Sequence, residues 1–168
     1  MRRSRTPALH AAYDCAAAAR RVAYLGAITG AGGDVERAVG YRWSPEGNET
    51  HALRSRVLLD VRAAGAPHPV AGLWTRVHDL DGLRAFAEQN RALGYTGMMA
   101  IHPSHVPVLN EVFSPSPAEL ARAVRLIAAL EEAQARGEGS VAFEGEMVDE
   151  VMATTARAVL RAESRRPV

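Results

Sequence analysis

The chain contains no lysine; all 20 of its basic residues are arginine. A P-loop is thereby excluded, because its lysine must reach the phosphates, and so is Schiff-base catalysis through a lysine of these 168 residues. Aldol-type chemistry built on such a chain calls for a metal instead. Cysteine is nearly absent too. The one present, Cys15, cannot form a disulfide within the chain, and its alanine-rich helical setting predicts a buried packing role rather than a reactive thiol. No apolar run approaches the roughly 18 residues that a membrane-spanning helix needs. Nor does an apolar core follow the basic Met1-Arg2-Arg3-Ser4-Arg5, because His10, Tyr13 and Asp14 interrupt Ala8 to Ala19. A secretory signal is therefore not expected, and the cytoplasm is the expected location. A net charge of +1 gives no general attraction to nucleic acid. The arginines at both ends read as solvated tails.

What is present is globular: 48% hydrophobic residues, in an alternation of helical and strand-like segments. Ala11 to Ala19 reads as a helix end, and residues 21–28 as a buried strand that stops at glycines. Leu53, Val57, Val61 and Ala64 recur at helical spacing, with Ser44-Pro45 as the start and Gly65 as the stop. Residues 70–75 read as a second strand. Asp79 opens a helix with Leu83, Phe86, Ala87 and Leu93 inward, closed by Gly94. Residues 97–102 read as a third strand. None of the three alternates with polar residues, as expected of parallel strands. Ser116-Pro117-Ala118-Glu119 is a capping box, which opens a long helix with Leu120, Val124, Ile127 and Leu130 inward. After Gly137-Glu138-Gly139 come a short extended segment, Ser140 to Glu144, and a last helix from about Asp149. The expected architecture is α/β, with strands 21–28, 70–75 and 97–102 as parallel neighbours in that order. Three such strands leave two open edges, which suits part of an α/β barrel better than a finished domain.

In parallel α/β structures chemistry gathers at the C-terminal ends of strands. The first strand ends in Gly30-Ala31-Gly32-Gly33-Asp34. Its glycines allow backbone N–H groups to approach an anion, and Asp34 is either a helix cap or a hard oxygen ligand suited to Mg²⁺. The dinucleotide fingerprint fails there, because it would require glycine at Val35. The third strand ends in Ile101-His102-Pro103-Ser104-His105. Its two histidines could share a helix face, yet no third ligand is near in sequence, so a structural role is the plainer reading. His10, His51, His68 and His78 show no informative spacing. Glu144 to Asp149 reads as an acidic lead-in to the last helix, complementing its dipole.

Taken together, several stretches resemble the citrate lyase β-subunit-like and malyl-CoA lyase family. They are residues 21–26 and Gly33-Asp34, then residues 40–47 and 53–57, then residues 93–97 and Ile101-His102-Pro103. Pro107 to Pro117 and residues 145–149 complete the set. The resemblance runs from about Ala12 to Leu160.

The resemblance implies a (β/α)8 barrel, of which this chain supplies about the last three βα units in residues 1–113, followed by a C-terminal helical tail in residues 114–168. It implies a Mg²⁺-dependent carbon–carbon lyase acting on the CoA thioester of a small hydroxy acid, of citryl-CoA or malyl-CoA type, in a homo-oligomer. Asp34 falls on the family's metal-binding aspartate. Gly32 and Gly33 fall where N–H groups meet the substrate carboxylate, and Ile101, His102 and Pro103 fall beside the CoA cleft. Asp149 falls on a tail acid that handles a proton in a neighbouring subunit's site. The family's second metal carboxylate, a glutamate, aligns near Ser4, and no glutamate precedes Glu36. A complete barrel takes about 250 residues. The chain is therefore expected to work with a complementing N-terminal half. The alternative is a non-catalytic remnant or interaction subunit packed on a full-length relative. No membrane or nucleic-acid partner is expected.

Overall fold

The computed structural model describes residues 6–163, which fall into two compact units divided after Phe113. The first unit has a three-stranded parallel sheet in the order β1 (Tyr24–Leu25), β2 (His68–Ala71), β3 (Gly97–Met98). Tyr24 lies opposite His68, and Val70 opposite Gly97. The parallel order matches the expectation, but each strand is shorter than the sequence suggests. Glycine explains part of this. A Cβ on Gly26 would sit 1.6 Å from the Val70 carbonyl oxygen, and one on Gly72 would sit 2.9 Å from the Ala27 carbonyl oxygen. The chains beyond the paired residues still run against one another, at distances that only glycine allows.

Helices α1 (Thr6–His10), α2 (Ala12–Ala17), α3 (Asp34–Val39), α4 (His51–Ala63), α5 (Leu80–Leu93) and α6 (His105–Phe113) complete this unit. Leu25 and Ala27 pack with Ala12 and Ala16 of α2 and with Val57 and Val61 of α4. Met98 and Trp74 pack with Leu83, Phe86 and Ala87 of α5 and with Leu109 and Val112 of α6. The helices thus cover one face of the sheet. Alternation along the strands sends the other residues to the opposite face. There Tyr24 is 66% exposed and Met99 43% exposed, while Pro69 and Ala71, on the helix side of β2, are buried.

Helix α4 starts later than Ser44-Pro45, behind a short 3-10 turn at Asn48–Thr50. Ser44 is instead tied to Glu49 through its backbone N–H and its hydroxyl, both at 2.8 Å. The residue that holds this corner is Arg54, fully buried on α4. It donates to the Gly47 carbonyl (2.8 Å), Asn90 (2.8 Å), Gln89 (2.7 Å) and Thr50 (3.2 Å), and lies over the Phe86 ring. Cys15 departs from its expected packing role: Ala12 and Ala16, one turn apart, fill the core, and Cys15 is exposed.

The second unit is α7 (Pro117–Ala135), a hairpin of β4 (Ser140–Phe143) and β5 (Glu146–Asp149), and α8 (Glu150–Glu163). The capping box is present, with Ser116 and Glu119 bonding each other's backbone N–H. The tail is not purely helical, however, because residues 146–149 pair as an antiparallel strand rather than forming an acidic lead-in. Arg122 and Arg125 both reach Glu144, which turns the hairpin at φ 49°. Helix α7 keeps Leu130 and, in part, Ile127 on its inner face as expected, but the centre of that face is turned towards other residues. Ala123, Leu126, Leu130 and Ala133 are inside, whereas Val124 is 55% exposed, because small residues let α8 approach through Ala153 and Ala156.

Candidate active site

Three loops leave the C-terminal ends of the parallel strands, and all but one of the candidate residues lie on them. The first loop follows β1. Gly32 adopts φ 69°, with nothing within 4 Å of a Cβ built there, so glycine is needed for conformation and not for space. Its N–H donates to the Glu36 carboxylate, whose other oxygen accepts from the Trp43 N–H at 3.0 Å. The Gly33 N–H donates to the Gly30 carbonyl at 3.3 Å. Both N–H groups that the sequence offers to a substrate carboxylate thus have partners in the protein. Glu36, in the first turn of α3, ties the loop to the helix that follows it and carries no motif that marks it in the sequence.

Asp34 is the first residue of α3, and Gly33, not Asp34, takes the cap position. Its carboxylate is 42% exposed and paired with Arg37 one turn along the helix. Asp34 and Gly33 form the polar edge of an otherwise apolar groove of about 220 Å³, floored by Leu25, Gly26, Ile28 and Val57. A single hard oxygen donor beside a groove fits one ligand of a Mg²⁺ ion, which holds several waters and takes one or two carboxylates. Among the described residues no group of three His, Cys, Asp or Glu side chains is arranged to hold a metal. Ser4, the position aligned with the second carboxylate, lies outside the described residues.

The second loop, after β2, carries Trp74, Arg76 and His78. Trp74 is 1% exposed and meets Trp43 edge to face at 5.3 Å, with the Arg76 guanidinium over both rings. The third loop carries Ile101, His102 and Pro103, all exposed, in the turn between β3 and α6. His102 and His105 do not share a helix face, since only His105 belongs to α6. The His102 Nδ1 accepts the Ser104 N–H at 3.2 Å, which leaves the ring proton on Nε2. His105 is fully buried. Its Nε2 donates to the Val77 carbonyl at 3.3 Å, and its Nδ1 has no partner among the described residues. His78, unremarkable in sequence, stands 6.4 Å from the His102 ring, and His102 stands 6.1 Å from His105. The second and third loops therefore meet through a row of three imidazoles.

Asp149 lies in the second unit, as the last residue of β5. Its Oδ1 accepts the N–H groups of Val151 (3.0 Å) and Met152 (3.2 Å), so it caps α8. A local role for this acid is thus in place whatever else it does.

Burial pushes the hydroxyl of Tyr41 up to about 12, aided by Glu36 and Glu49, and that of Tyr41 donates to the Thr29 carbonyl at 3.0 Å. Tyr95, whose hydroxyl donates to the Arg54 carbonyl at 2.9 Å, is likewise pushed to about 12 by burial. Both serve as neutral donors that fix loops and not as acids near neutral pH.

A citrate lyase subunit beta-like protein of Deinococcus radiodurans is 41% identical to this chain over 145 residues, 84% of the chain. The chain belongs to the citrate lyase β-like and malyl-CoA lyase family. It spans about half the length of the curated relatives it matches, 48% in the Deinococcus case. Within the family, a (3S)-malyl-CoA thioesterase of Cereibacter sphaeroides is 39% identical over 127 residues, covering 76% of this chain and 44% of the relative. An L-malyl-CoA/beta-methylmalyl-CoA lyase of the same species is 41% identical over 93 residues, covering 55% of this chain and 29% of the relative. Among solved structures, CitE from Mycobacterium tuberculosis, in complex with magnesium, acetoacetate and coenzyme A, superposes with a TM-score of 0.75 at 29% identity. The match covers 94% of this chain and 58% of CitE. No family profile matches the chain.

Proposed function

We propose that this chain is the C-terminal portion of a Mg²⁺-dependent carbon–carbon lyase acting on the CoA thioester of a small hydroxy acid. Its parallel strands then form about three βα units of a (β/α)8 barrel, with the uncovered face of the sheet as part of the interior. The observation that carries the reading is the position of Asp34: it opens a helix at the C-terminal side of the first strand, beside an apolar groove, in a chain whose relatives include a malyl-CoA lyase. Mg²⁺ held there would polarise the carbonyl next to the breaking bond. Asp34 supplies one ligand, and the second carboxylate comes from a complementing N-terminal half. Gly32 and Gly33 hold the loop in the shape that presents Asp34. Ile101, His102 and Pro103 form the exposed rim on which the CoA part lies, with His102 offering its Nε2–H. Asp149 handles the proton of the CoA-bound enolate from the tail of a neighbouring copy.

A second reading has its own support. The Cereibacter relative at 39% identity is named a thioesterase, and in this reading water attacks the thioester carbonyl, so that the bond broken is the thioester and not a carbon–carbon bond of the acyl group. Product analysis separates the two: carbon–carbon cleavage of malyl-CoA gives a shortened acyl-CoA and an aldehyde acid, whereas hydrolysis gives free CoA and malate. Calorimetric titration with Mg²⁺ tests the metal ligand. The chain joined by its complementing half binds the ion, and Asp34→Ala removes the heat. Unchanged Mg²⁺ binding in Asp34→Ala would withdraw Asp34 from the site.

A further inference from the structure

Arg76 is held unusually well for a surface residue. Its guanidinium carbon stands 5.5 Å from the centre of the Trp43 ring and 5.9 Å from that of Trp74, two indoles packed at 5.3 Å. Stacking on two rigid aromatic faces removes much of the rotamer freedom that an arginine otherwise loses on binding. The rings are held by packing: Trp74 lies among Leu83 and Phe86 with Trp43 packed against that cluster, and the backbone N–H of Trp43 is bonded to Glu36. Even so, the Arg76 side chain is 55% exposed. Its ion-pair contact is the Asp79 carboxylate at 3.8 Å, beyond hydrogen-bond range. That carboxylate already accepts the Gly82 N–H at 2.9 Å as the cap of α5. A planar fork of donors is thus oriented, exposed and, among the described residues, without a hydrogen-bonded acid.

The place is as telling as the state. Arg76 lies on the loop after β2, next to the loop that carries Trp43 and two residues before His78, which leads to His102 and His105. It is on a different strand end from Asp34, which follows β1. We propose that Arg76 is a phosphate-recognition residue, positioned by Trp43 and Trp74, and that within the proposed enzyme it takes a phosphate group of the CoA part. The second clause rests on the CoA-thioester reading; the first does not. A phosphate ester suits this cation better than a carboxylate does. It carries up to about two negative charges and three acceptor oxygens, and so gains more from one un-neutralised guanidinium.

Trp43 and Trp74 are the two tryptophans of the chain, so their fluorescence reports on this site alone. The full chain is titrated with pyrophosphate, with CoA and with malonate, alongside Arg76→Gln, Arg76→Lys and, as a control elsewhere on the surface, Arg62→Gln. Pyrophosphate and CoA shift the emission of the parent and of Arg62→Gln saturably, and malonate does not. Arg76→Gln weakens both by roughly tenfold or more, and Arg76→Lys falls between, because lysine keeps the charge but not the fork. Calorimetry repeats the comparison, so that the altered baseline fluorescence of the variants does not decide it, and far-UV circular dichroism confirms that they fold. Arg76-dependent pyrophosphate binding without CoA binding supports the phosphate role and counts against the CoA reading. No response of the parent to pyrophosphate, Arg76→Gln titrating like the parent, or malonate matching pyrophosphate overturns the proposal.

Discussion

Arg54 shows what a single buried charge does in this fold. Burial holds its guanidinium below the usual arginine range, partly offset by Tyr95 and Glu49. Four hydrogen-bond partners on two helices and a loop compensate the loss of solvent. Arg54→Ala strands the Asn90 side chain and the Gly47 carbonyl, and is expected to cost roughly 3 kcal/mol in urea unfolding. A loss below about 1 kcal/mol would mean that the network is incidental. Tyr95 links the same corner to pH. Its folded pKa of about 12 lies above the ordinary 10.0, so its contribution is complete below about pH 10 and is lost as pH rises towards about 12. The urea midpoint should fall through that window, and Tyr95→Phe should flatten the fall because it cannot ionise. An equally steep fall in Tyr95→Phe would place the alkaline sensitivity elsewhere, with Tyr41 the next group to test.

At the level of elements, the close approach of β1 and β2 hangs on glycine. Gly26→Ala places a Cβ 1.6 Å from a backbone oxygen that cannot swing aside, and is expected to destabilise by roughly 3 kcal/mol or more. Gly32→Ala meets no atom and suffers only from its positive φ, for about 1 kcal/mol. Thermal unfolding of the two variants side by side checks the contrast; equal losses would contradict it. The strand order, the Asp79 cap and the Ser116 capping box were legible because each rests on a local rule, an apolar run or a fixed spacing of side chain and N–H. Strand ends were not, since nothing local distinguishes Gly26 as a contact point from a turn glycine. The β5 strand was hidden because Glu146, Val148 and Asp149 place only Val148 inside, too little apolar alternation to announce a strand. In the candidate site, Asp34 and the His102 turn stand out only through the family resemblance, since their local spacing reads equally as a helix cap and structural histidines. Arg76, Glu36 and His78 do not stand out at all, because their partners come from other loops.

For the molecule as a whole, the uncovered sheet face matters most. Tyr24 and Met99 are exposed on it, and among the described residues neither β1 nor β3 has a further strand on its outer edge. Such surfaces promote association. Light scattering of the purified chain at micromolar concentration should therefore show self-association, relieved when a complementing N-terminal half is added; a stable monomer that unfolds cooperatively would speak against an incomplete barrel. No described helix is long and apolar enough to cross a membrane. The proposed chemistry separates the two acids by role. Asp149→Asn is the better probe than alanine, because asparagine keeps the cap on α8 while removing the carboxylate. The most direct measurement is malyl-CoA cleavage by the chain reconstituted with its complementing half in Mg²⁺, comparing parent, Asp34→Ala and Asp149→Asn. The account predicts turnover in the parent, none in Asp34→Ala, and slowed turnover with unchanged Mg²⁺ affinity in Asp149→Asn. Full activity in Asp34→Ala would contradict it.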